Sequence, residues 1–528
     1  MKRFLSISFC AWLCAILPAF AAVPAPDALL SSDTLAVVTI PDYTKAKATW
    51  SQAPTIRLWN DPALKPFRDK FTTKLTTEYI APLEKELGIK LADYSDLAQG
   101  QVTFAITQGE WDPKTDKGPG FLFLVDARDK SEQLKTKLSE IRKKWVDGGK
   151  QIRTDKIRDV EFTTLVFKSD EMAKAFEKAA PKKDKPDKQE KPEAAADTPK
   201  PAPRNIELII GQSGSLLVMA NSAKDVDKVL SHQGGGSVPS LTEQASFASN
   251  SKLFRDASSY LWINLKPIID NIIKSQQKPD NAQTPGFTSE KILGPLGITG
   301  LQTLAFAAND TPEGMLAQVQ LNVPESARKG IFKILNYDAK DAAPLPFVPA
   351  DAVKFTRWRL DLQKGWNTLE YTLGEINPQF AGGIKMMLDL AGKDKDPDFD
   401  LRKSLIANLG DDIISYQKSP RSQTLADLSS PPSLFMISSP KAETLAASIR
   451  SLTAFLPQAS KVKEREFLGR KVYAMNLPST GAPGAPQPQK QNRVLSYAAS
   501  GGYVVFSSDV ATLEEYLQQC SARQAGHA

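Results

Sequence analysis

Apolar and polar positions along the chain follow one pattern that occurs twice. Residues 214–230 place apolar strand residues after a glycine turn, then a short polar cap and an i, i+3, i+4 apolar helix face. Residues 501–517 match this segment without a gap, so that Ser222 corresponds to Asp509 and Leu230 to Leu517. Both segments therefore predict the second strand of a β-hairpin followed by a capped helix.

The correspondence extends to the rest of the chain. A strand pattern begins at Asp33 and again at Asp351, and each is followed by a helix with proline in its first turn. In the first of these helices we expect one buried stripe, which Pro82 kinks or divides. The stripe comprises Leu64, Phe67, Phe71, Leu75, Tyr79, Leu83 and Leu87. Corresponding segments in the same order predict an internal duplication.

The pattern divides the chain into repeat units. We predict a signal peptide at 1–21, a first complete unit at 22–236, a partial unit at 237–345, a second complete unit at 346–520 and a loose tail at 521–528. Low-complexity inserts at 179–204 and 478–492 interrupt equivalent points of the complete units, and their composition predicts disorder. Short strands in hairpin connections, with helices between them, predict an α+β fold of internally duplicated antiparallel sheets covered by helices.

The N-terminal pattern indicates export. Lys2 and Arg3 precede an apolar run to Leu17 and an Ala19-Phe20-Ala21 site, which is typical of a cleaved secretory signal. No later segment approaches the length that spans a bilayer, so no transmembrane segment is expected after signal removal. We expect a soluble periplasmic or secreted protein.

Composition excludes several kinds of chemistry. Cys10 and Cys14 leave with the signal, so Cys520 has no partner for an intrachain disulfide. The net charge of +7 for the whole chain is mild for its length, and we expect no nucleic-acid partner. With His232 and His527 as the two histidines, a histidine-based zinc site or a Ser-His-Asp triad is disfavoured. No cofactor is expected.

Several short motifs resemble a known family. They are Ser-Asp-Thr-Leu-x-Val-Val at 32–38, Asn60-Asp61-Pro62, the break from Leu97 to Gly100, and Tyr260-Leu-Trp-Ile. Together they resemble a family of secreted bacterial proteins with an uncharacterised envelope domain. The resemblance covers most of the mature chain. It implies export and an α+β fold, and it implies no catalytic residue.

Two serine motifs could carry nucleophilic chemistry. Ser438 and Lys441 fit a Ser-x-x-Lys pattern at a predicted strand-to-helix junction. The companion motifs of that enzyme class are missing, and the corresponding loop at 126–130 lacks the serine, which favours an exposed turn and helix cap. Gly211 to Gly214 resembles a nucleophile elbow, but its second glycine comes one residue early, and turn glycines explain it.

Two further groups could bind ligands. Alternating carboxylates resemble a calcium loop, although Phe399 and Leu405 stand where such a loop needs Gly and Glu. These carboxylates are Asp394, Asp396, Asp398 and Asp400. Trp111 and Trp366 are candidates for exposed platforms that stack on sugar rings, although aromatic side chains more often pack locally.

Three functions remain open. The favoured one is a non-catalytic envelope protein that binds or scaffolds an unidentified envelope component through a concave surface between repeated units. The second is a carrier of a lipid-like ligand in an apolar cavity. The third is a hydrolase that uses Ser438 with Lys441, or paired carboxylates.

Overall fold

A computed structural model describes residues 22–88, 90–109, 111, 118–168, 205–276, 288–391, 393, 397, 399–422, 424, 431–453, 462–477 and 493–526. The predicted signal peptide and both predicted inserts lie outside these residues. The chain forms two compact units: unit 1 comprises Met1–Asn281 with Leu301–Val323, and unit 2 comprises Ala282–Gly300 with Pro324–Ala528. The partial repeat predicted at 237–345 therefore contributes residues to both units.

The α+β prediction is confirmed, and each unit contains one antiparallel sheet. In unit 1 the neighbouring strands follow the order β10-β9-β8-β1-β2-β3-β7-β6-β5-β4. The strands are β1 (Thr34–Ile40), β2 (Val102–Thr107), β3 (Gly120–Asp126), β4 (Gln151–Ile157), β5 (Val160–Lys168), β6 (Asn205–Ser213), β7 (Leu216–Ala220), β8 (Ser259–Asn264), β9 (Thr303–Asp310) and β10 (Met315–Asn322).

The sheet of unit 2 has the order β11-β12-β13-β17-β16-β15-β14. Its strands are β11 (Ala352–Arg359), β12 (Asp412–Lys418), β13 (Ser433–Ser438), β14 (Lys463–Phe467), β15 (Arg470–Leu477), β16 (Arg493–Ser500) and β17 (Tyr503–Ser507). This order is the same as that from β1 to β4 in unit 1. Strands β8, β9 and β10 extend the sheet of unit 1 beyond β1.

The longer helices of unit 1 are α1 (Tyr43–Gln52), α2 (Lys65–Leu75), α3 (Ala81–Leu87), α4 (Ser131–Asp147), α5 (Ala223–Gln233) and α6 (Leu265–Gln276). Those of unit 2 are α7 (Leu362–Ile376), α8 (Pro378–Leu390), α9 (Ala442–Thr453) and α10 (Val510–Gly526). Shorter α-helices are Pro26–Leu29, Pro54–Trp59, Ala245–Ala248, Ser251–Phe254, Ser289–Leu293, Gly330–Ile334 and Leu401–Ser404. None of the described helices is long and apolar enough to cross a membrane.

The segment that occurs twice in the sequence has the same secondary structure in both units. Gly214 and Gly501 take φ angles of +60° and +61° in the hairpin turns, a conformation that glycine adopts without a Cβ penalty. The helices that follow are capped as expected: Ser222 accepts a hydrogen bond from the Asp225 amide and Asp509 from the Thr512 amide.

Both faces of each sheet are partly covered. In unit 1, α5 packs Val226 and Val229 into the main core, whereas α4 packs Ile141 and Trp145 onto a second cluster with Leu165. In unit 2, α10 packs onto the main core, and α9 packs onto a second cluster that contains Tyr497. Successive strand residues point to opposite faces, so a central strand supplies both cores: in β6, Ile209 packs in the main core, whereas Leu208 and Ile210 pack in the second cluster.

Some predicted boundaries differ from the structure. The regions read as single strands around Phe162 and Phe467 are the hairpins β4–β5 and β14–β15, whose turns contain Arg158 and Leu468 at φ angles of +54° and +51°. No glycine or proline marks the Arg158 position, so the turn there has little signal in the sequence. Helix α10 continues to Gly526, where we expected a loose tail from Ser521.

The buried stripe predicted after Asn60 is wrong. The helix is divided, as Pro82 suggested, by a π-helical stretch at Thr76–Ile80 between α2 and α3. The side chains of Phe67, Phe71, Leu75 and Tyr79 are exposed, and those of Leu83 and Leu87 are outside the described side chains. Periodicity identified the apolar face of this helix correctly, but the described residues do not cover that face.

Candidate functional site

Ser438 ends β13, and Lys441 directly precedes α9. The Ser438 hydroxyl oxygen accepts a hydrogen bond from the Asp412 amide at 2.9 Å, and the Ser438 carbonyl accepts one from the Gly410 amide at 2.8 Å. The Lys441 side chain is exposed. These bonds give Ser438 a structural role in fastening the start of β12 to the end of β13.

A cleft of about 750 Å³ opens beside this junction. Its lining includes Lys333, Asp361, Lys364, Asn367, Tyr371, Gly410, Asp411 and Pro440. Asp361 caps α7 by accepting a hydrogen bond from the Lys364 amide at 2.9 Å. Asp411 forms ion pairs with Lys340 and Arg359. Because both carboxylates already have partners, the cleft is better suited to holding a polar ligand than to general base catalysis.

A buried ion pair lies next to the cleft. Arg357 donates to both carboxylate oxygens of Asp412, at 2.9 and 2.7 Å, and the Tyr503 hydroxyl donates to the same carboxylate at 2.9 Å. Burial would raise the pKa of Asp412, but the Arg357 and Tyr503 hydrogen bonds outweigh it and lower that pKa. Burial and the neighbouring Asp412 raise the pKa of Tyr503 to about 12. Arg357 and Asp412 thus form a charged pair that is held in a fixed geometry.

Unit 1 has the same junction with different side chains. Asp126 ends β3, and its carbonyl accepts a hydrogen bond from the Gly100 amide at 2.8 Å, as Ser438 does from Gly410. The following residue in each unit bonds to the hairpin turn: the Ala127 amide donates to the Ser215 carbonyl, and the Ser439 amide donates to the Gly502 carbonyl. Both units therefore share this junction, and Ser438 in unit 2 occupies the position that Asp126 occupies in unit 1.

The other candidate residues do not assemble into a site. Asp394, Asp396 and Asp398 lie outside the described residues, and Asp400 caps the helix Leu401–Ser404 by accepting from the Lys403 amide. Among the residues that the structure describes, no group of three or more His, Cys, Asp or Glu side chains could hold a metal ion. Of the four candidate calcium ligands, the structure thus describes Asp400 alone, and Asp400 serves as a helix cap.

The two tryptophans have different surroundings. Trp366 is half-buried and packs against the cluster of Leu388, Ala391 and Leu401, which favours a structural role over ring stacking. Trp111 is also half-buried, and its amide donates to the Gln108 carbonyl at 2.8 Å.

His232 is buried, and His527 lies outside the described residues. The two ring nitrogens of His232 lie 2.8 Å from the carbonyl oxygens of Leu29 and Val238. A ring nitrogen that carries a proton donates to the carbonyl beside it, and this bond ties α5 to a neighbouring segment. We expected Gly211 to be a turn glycine, but it lies within β6, where the Phe162 ring occupies the space that a Cβ would need.

Each unit exposes a row of apolar side chains, and we expected the first of these rows to be buried. In unit 1, Phe67 and Phe71 stack with ring centroids 6.2 Å apart, and Trp59 meets both rings edge-on. Phe67 is 60% exposed. We name the set Trp59, Phe67, Phe71, Leu75 and Tyr79 the α2 row.

Unit 2 carries a comparable row on α8. One part of this helix packs inward through Ile384 and Leu388 against Trp366. Another face leaves apolar side chains in solvent, with Phe380 58% and Met387 60% exposed. We name the set Phe380, Met386, Met387 and Leu390 the α8 row. Gly382 and Gly383 lie beside it with open space around them, so a partner could approach the helix closely there.

Comparison of the chain with protein-family models, curated proteins and solved structures yields no match. Function must therefore be inferred from the side chains and their surroundings.

Proposed function

We propose that this is an exported envelope protein that binds another protein through the α2 row and the α8 row, and that it is not a catalyst. We further propose that the two units are copies of one ancestral sequence. The observation that carries the functional proposal is the pair of exposed apolar rows. The α2 row lies on α2 and the turns next to it, from Trp59 to Tyr79, and the α8 row lies on the helix that begins at Pro378.

Exposed apolar rows of this kind mark interaction surfaces, because water-exposed aromatic and methionine side chains gain free energy when covered. Methionine and phenylalanine at helical spacing also suit recognition of another apolar helix. The α8 row follows the spacing of a helix-pairing face, with Gly383 between Phe380 and Met387.

Charge favours a protein partner over an anionic membrane surface. Residues 61–87 carry five Lys or Arg and five Asp or Glu, and residues 362–390 carry two Lys and three Asp or Glu. Helices that bind anionic lipid surfaces usually carry an excess of positive charge. These two segments carry none, so apolar contact must supply the affinity.

The test is site-specific photocrosslinking in the native host. A photoreactive side chain at Phe71 or Met387 should crosslink to one and the same protein, and a glutamate at Phe67 or Phe380 should abolish it. Matched controls are Asp69 and Lys385, which lie on the opposite sides of α2 and α8 and should give no product. Crosslinks to lipid from the row positions would instead support the carrier, and their absence from every position would refute the binding surface.

A further inference from the structure

The outer strand of the sheet in unit 1, β10, is an unprotected edge. Its eight residues, Met315–Asn322, include no charged residue and no proline. They are exposed along both faces of the strand, with Val319 66% exposed. Among the described residues, β10 pairs with β9 alone, so the amides and carbonyls on its outer side have no strand partner.

The other three sheet edges are protected. Strands β4, β11 and β14 also end their sheets, and each carries several charged side chains. These are Arg153, Asp155 and Lys156 in β4, Lys354 and Arg359 in β11, and Lys463, Glu464, Arg465 and Glu466 in β14. Charges on an edge strand oppose pairing with another chain. Strand β10 lacks this protection.

The edges of β3 and β13 that correspond to the open edge of β10 are both paired. Strands β8, β9 and β10 follow each other in the sheet as β1, β2 and β3 do, and as β11, β12 and β13 do. In those two sets the outer edge of the third strand pairs with an antiparallel strand, β7 or β17. The corresponding edge of β10 is the one left open, so its geometry suits an antiparallel strand.

We infer that a second copy of this chain pairs with β10 through its own β10, antiparallel about a two-fold axis. The apolar residues on one face of the strand are symmetric about Gln318, because Met315 and Ala317 precede it where Val319 and Leu321 follow it; on the other face Leu316 would lie opposite Gln320. A strand with this symmetry presents the same face to a copy that runs in the opposite direction. The absence of charge means that no like charges meet across the axis.

The symmetry also fixes the register. With Gln318 opposite Gln318 of the other copy, Met315 lies opposite Leu321 and Ala317 opposite Val319, so one apolar face runs across both strands. A shift by one residue would set the apolar face of one strand beside the polar face of the other. A pair of eight-residue strands buries less than the ~1,600 Å² of a standard interface, so we expect a reversible dimer.

Sedimentation of the purified protein over a range of concentrations tests the inference. We expect a monomer–dimer equilibrium, and we expect Gln318→Lys to raise its dissociation constant roughly fivefold or more, because two ammonium groups then face each other across the axis. The matched control is Gln151→Lys on the edge strand β4, which should leave the equilibrium unchanged. Circular dichroism confirms that each variant is folded.

A crosslink tests the register independently. In a Cys520→Ser background, Gln318→Cys should form a disulfide between copies on mild oxidation, because the two Cα atoms then lie within disulfide range. Val319→Cys should not, because its counterpart lies two residues away along the partner strand. A protein that stays monomeric at all concentrations, or a dimer that Gln318→Lys leaves intact, overturns the inference. So does a monomer whose β10 captures a strand from a different protein.

Discussion

Arg357 and Asp412 form a two-point ion pair in which only 6% of each side chain is exposed. Removing one partner of such a pair leaves a buried, uncompensated charge. We therefore expect Arg357→Met to lower the free energy of unfolding of unit 2 by about 3 kcal/mol, the lower end for buried pairs, since Arg359 lies 3.8 Å from Asp412. Denaturant-dependent hydrogen exchange of peptides from unit 2 measures this loss.

Arg421→Met is the control for that variant. Arg421 pairs with Asp509 at 2.6 Å, but its side chain is 58% exposed. Exposed pairs contribute about 0–1 kcal/mol, so the control should lose far less stability. Equal losses from the two variants would contradict the buried-pair argument.

The same pair predicts a pH dependence. Because the pKa of Asp412 is lowered in the folded protein, its contribution to stability is complete above the unfolded pKa of about 3.9. It is lost as the pH falls through the folded pKa. The stability difference between the natural protein and Asp412→Asn should therefore be constant near neutral pH and shrink below about pH 4. A difference that stays the same at pH 7 and pH 3 would rule this out.

Gly100 and Gly410 should resist substitution because a strand end lies against each. A Cβ at Gly100 would lie 2.1 Å from a carboxylate oxygen of Asp126, and one at Gly410 would lie 2.2 Å from the Ser438 hydroxyl oxygen. Replacement by alanine should cost about 1–3 kcal/mol in either unit, the usual cost of overpacking. Thermal unfolding of the two single variants gives the comparison.

Gly383→Ala serves as the matched control for these glycines. Gly383 lies within α8 with open space around it, and alanine favours helix over glycine by roughly 0.5–1 kcal/mol. This variant should gain stability. A gain from Gly410→Ala as well would show that the close approach to Ser438 is not rigid.

Ser438→Ala should act on stability alone. It removes the acceptor for the Asp412 amide, so we expect a loss of about 1 kcal/mol and unchanged crosslinking at Met387. The measurements are the melting temperature and the crosslink yield. If the protein hydrolyses an ester or amide and Ser438→Ala abolishes that activity without lowering the melting temperature, Ser438 is catalytic and the binding proposal fails.

The fold class could be predicted because its signals are local. Glycine turns, polar caps and apolar periodicity predicted the strand and helix around Ser222 and Asp509, and the structure agrees. Helices α1 and α7 were not predicted from the sequence. Thr368 and Thr372 are buried on α7 beside exposed Leu369 and Tyr371, so its polar and apolar positions do not separate into an inner and an outer face.

The binding rows could be predicted as apolar helix faces but not as exposed surfaces. Periodicity reports that Phe67, Phe71 and Leu75 share a face, whereas their burial depends on distant elements that the local pattern does not specify. The Ser-x-x-Lys motif illustrates the converse. Its residues are close in sequence, but the Ser438 hydroxyl is engaged by the Asp412 amide, which only the tertiary structure reveals.

The strand order has a consequence for how fast the chain folds. Among the described strands of unit 2, the pairing of β13 with β17 is the one contact between strands that are not consecutive in the chain, since β11 to β13 and β14 to β17 each follow chain order. Each meander can form from nearby residues, but joining them requires closure of the whole intervening chain, which slows folding. The entropy of closure grows only with the logarithm of loop length. The sequence between β15 and β16 can therefore lengthen with little change in the folding rate.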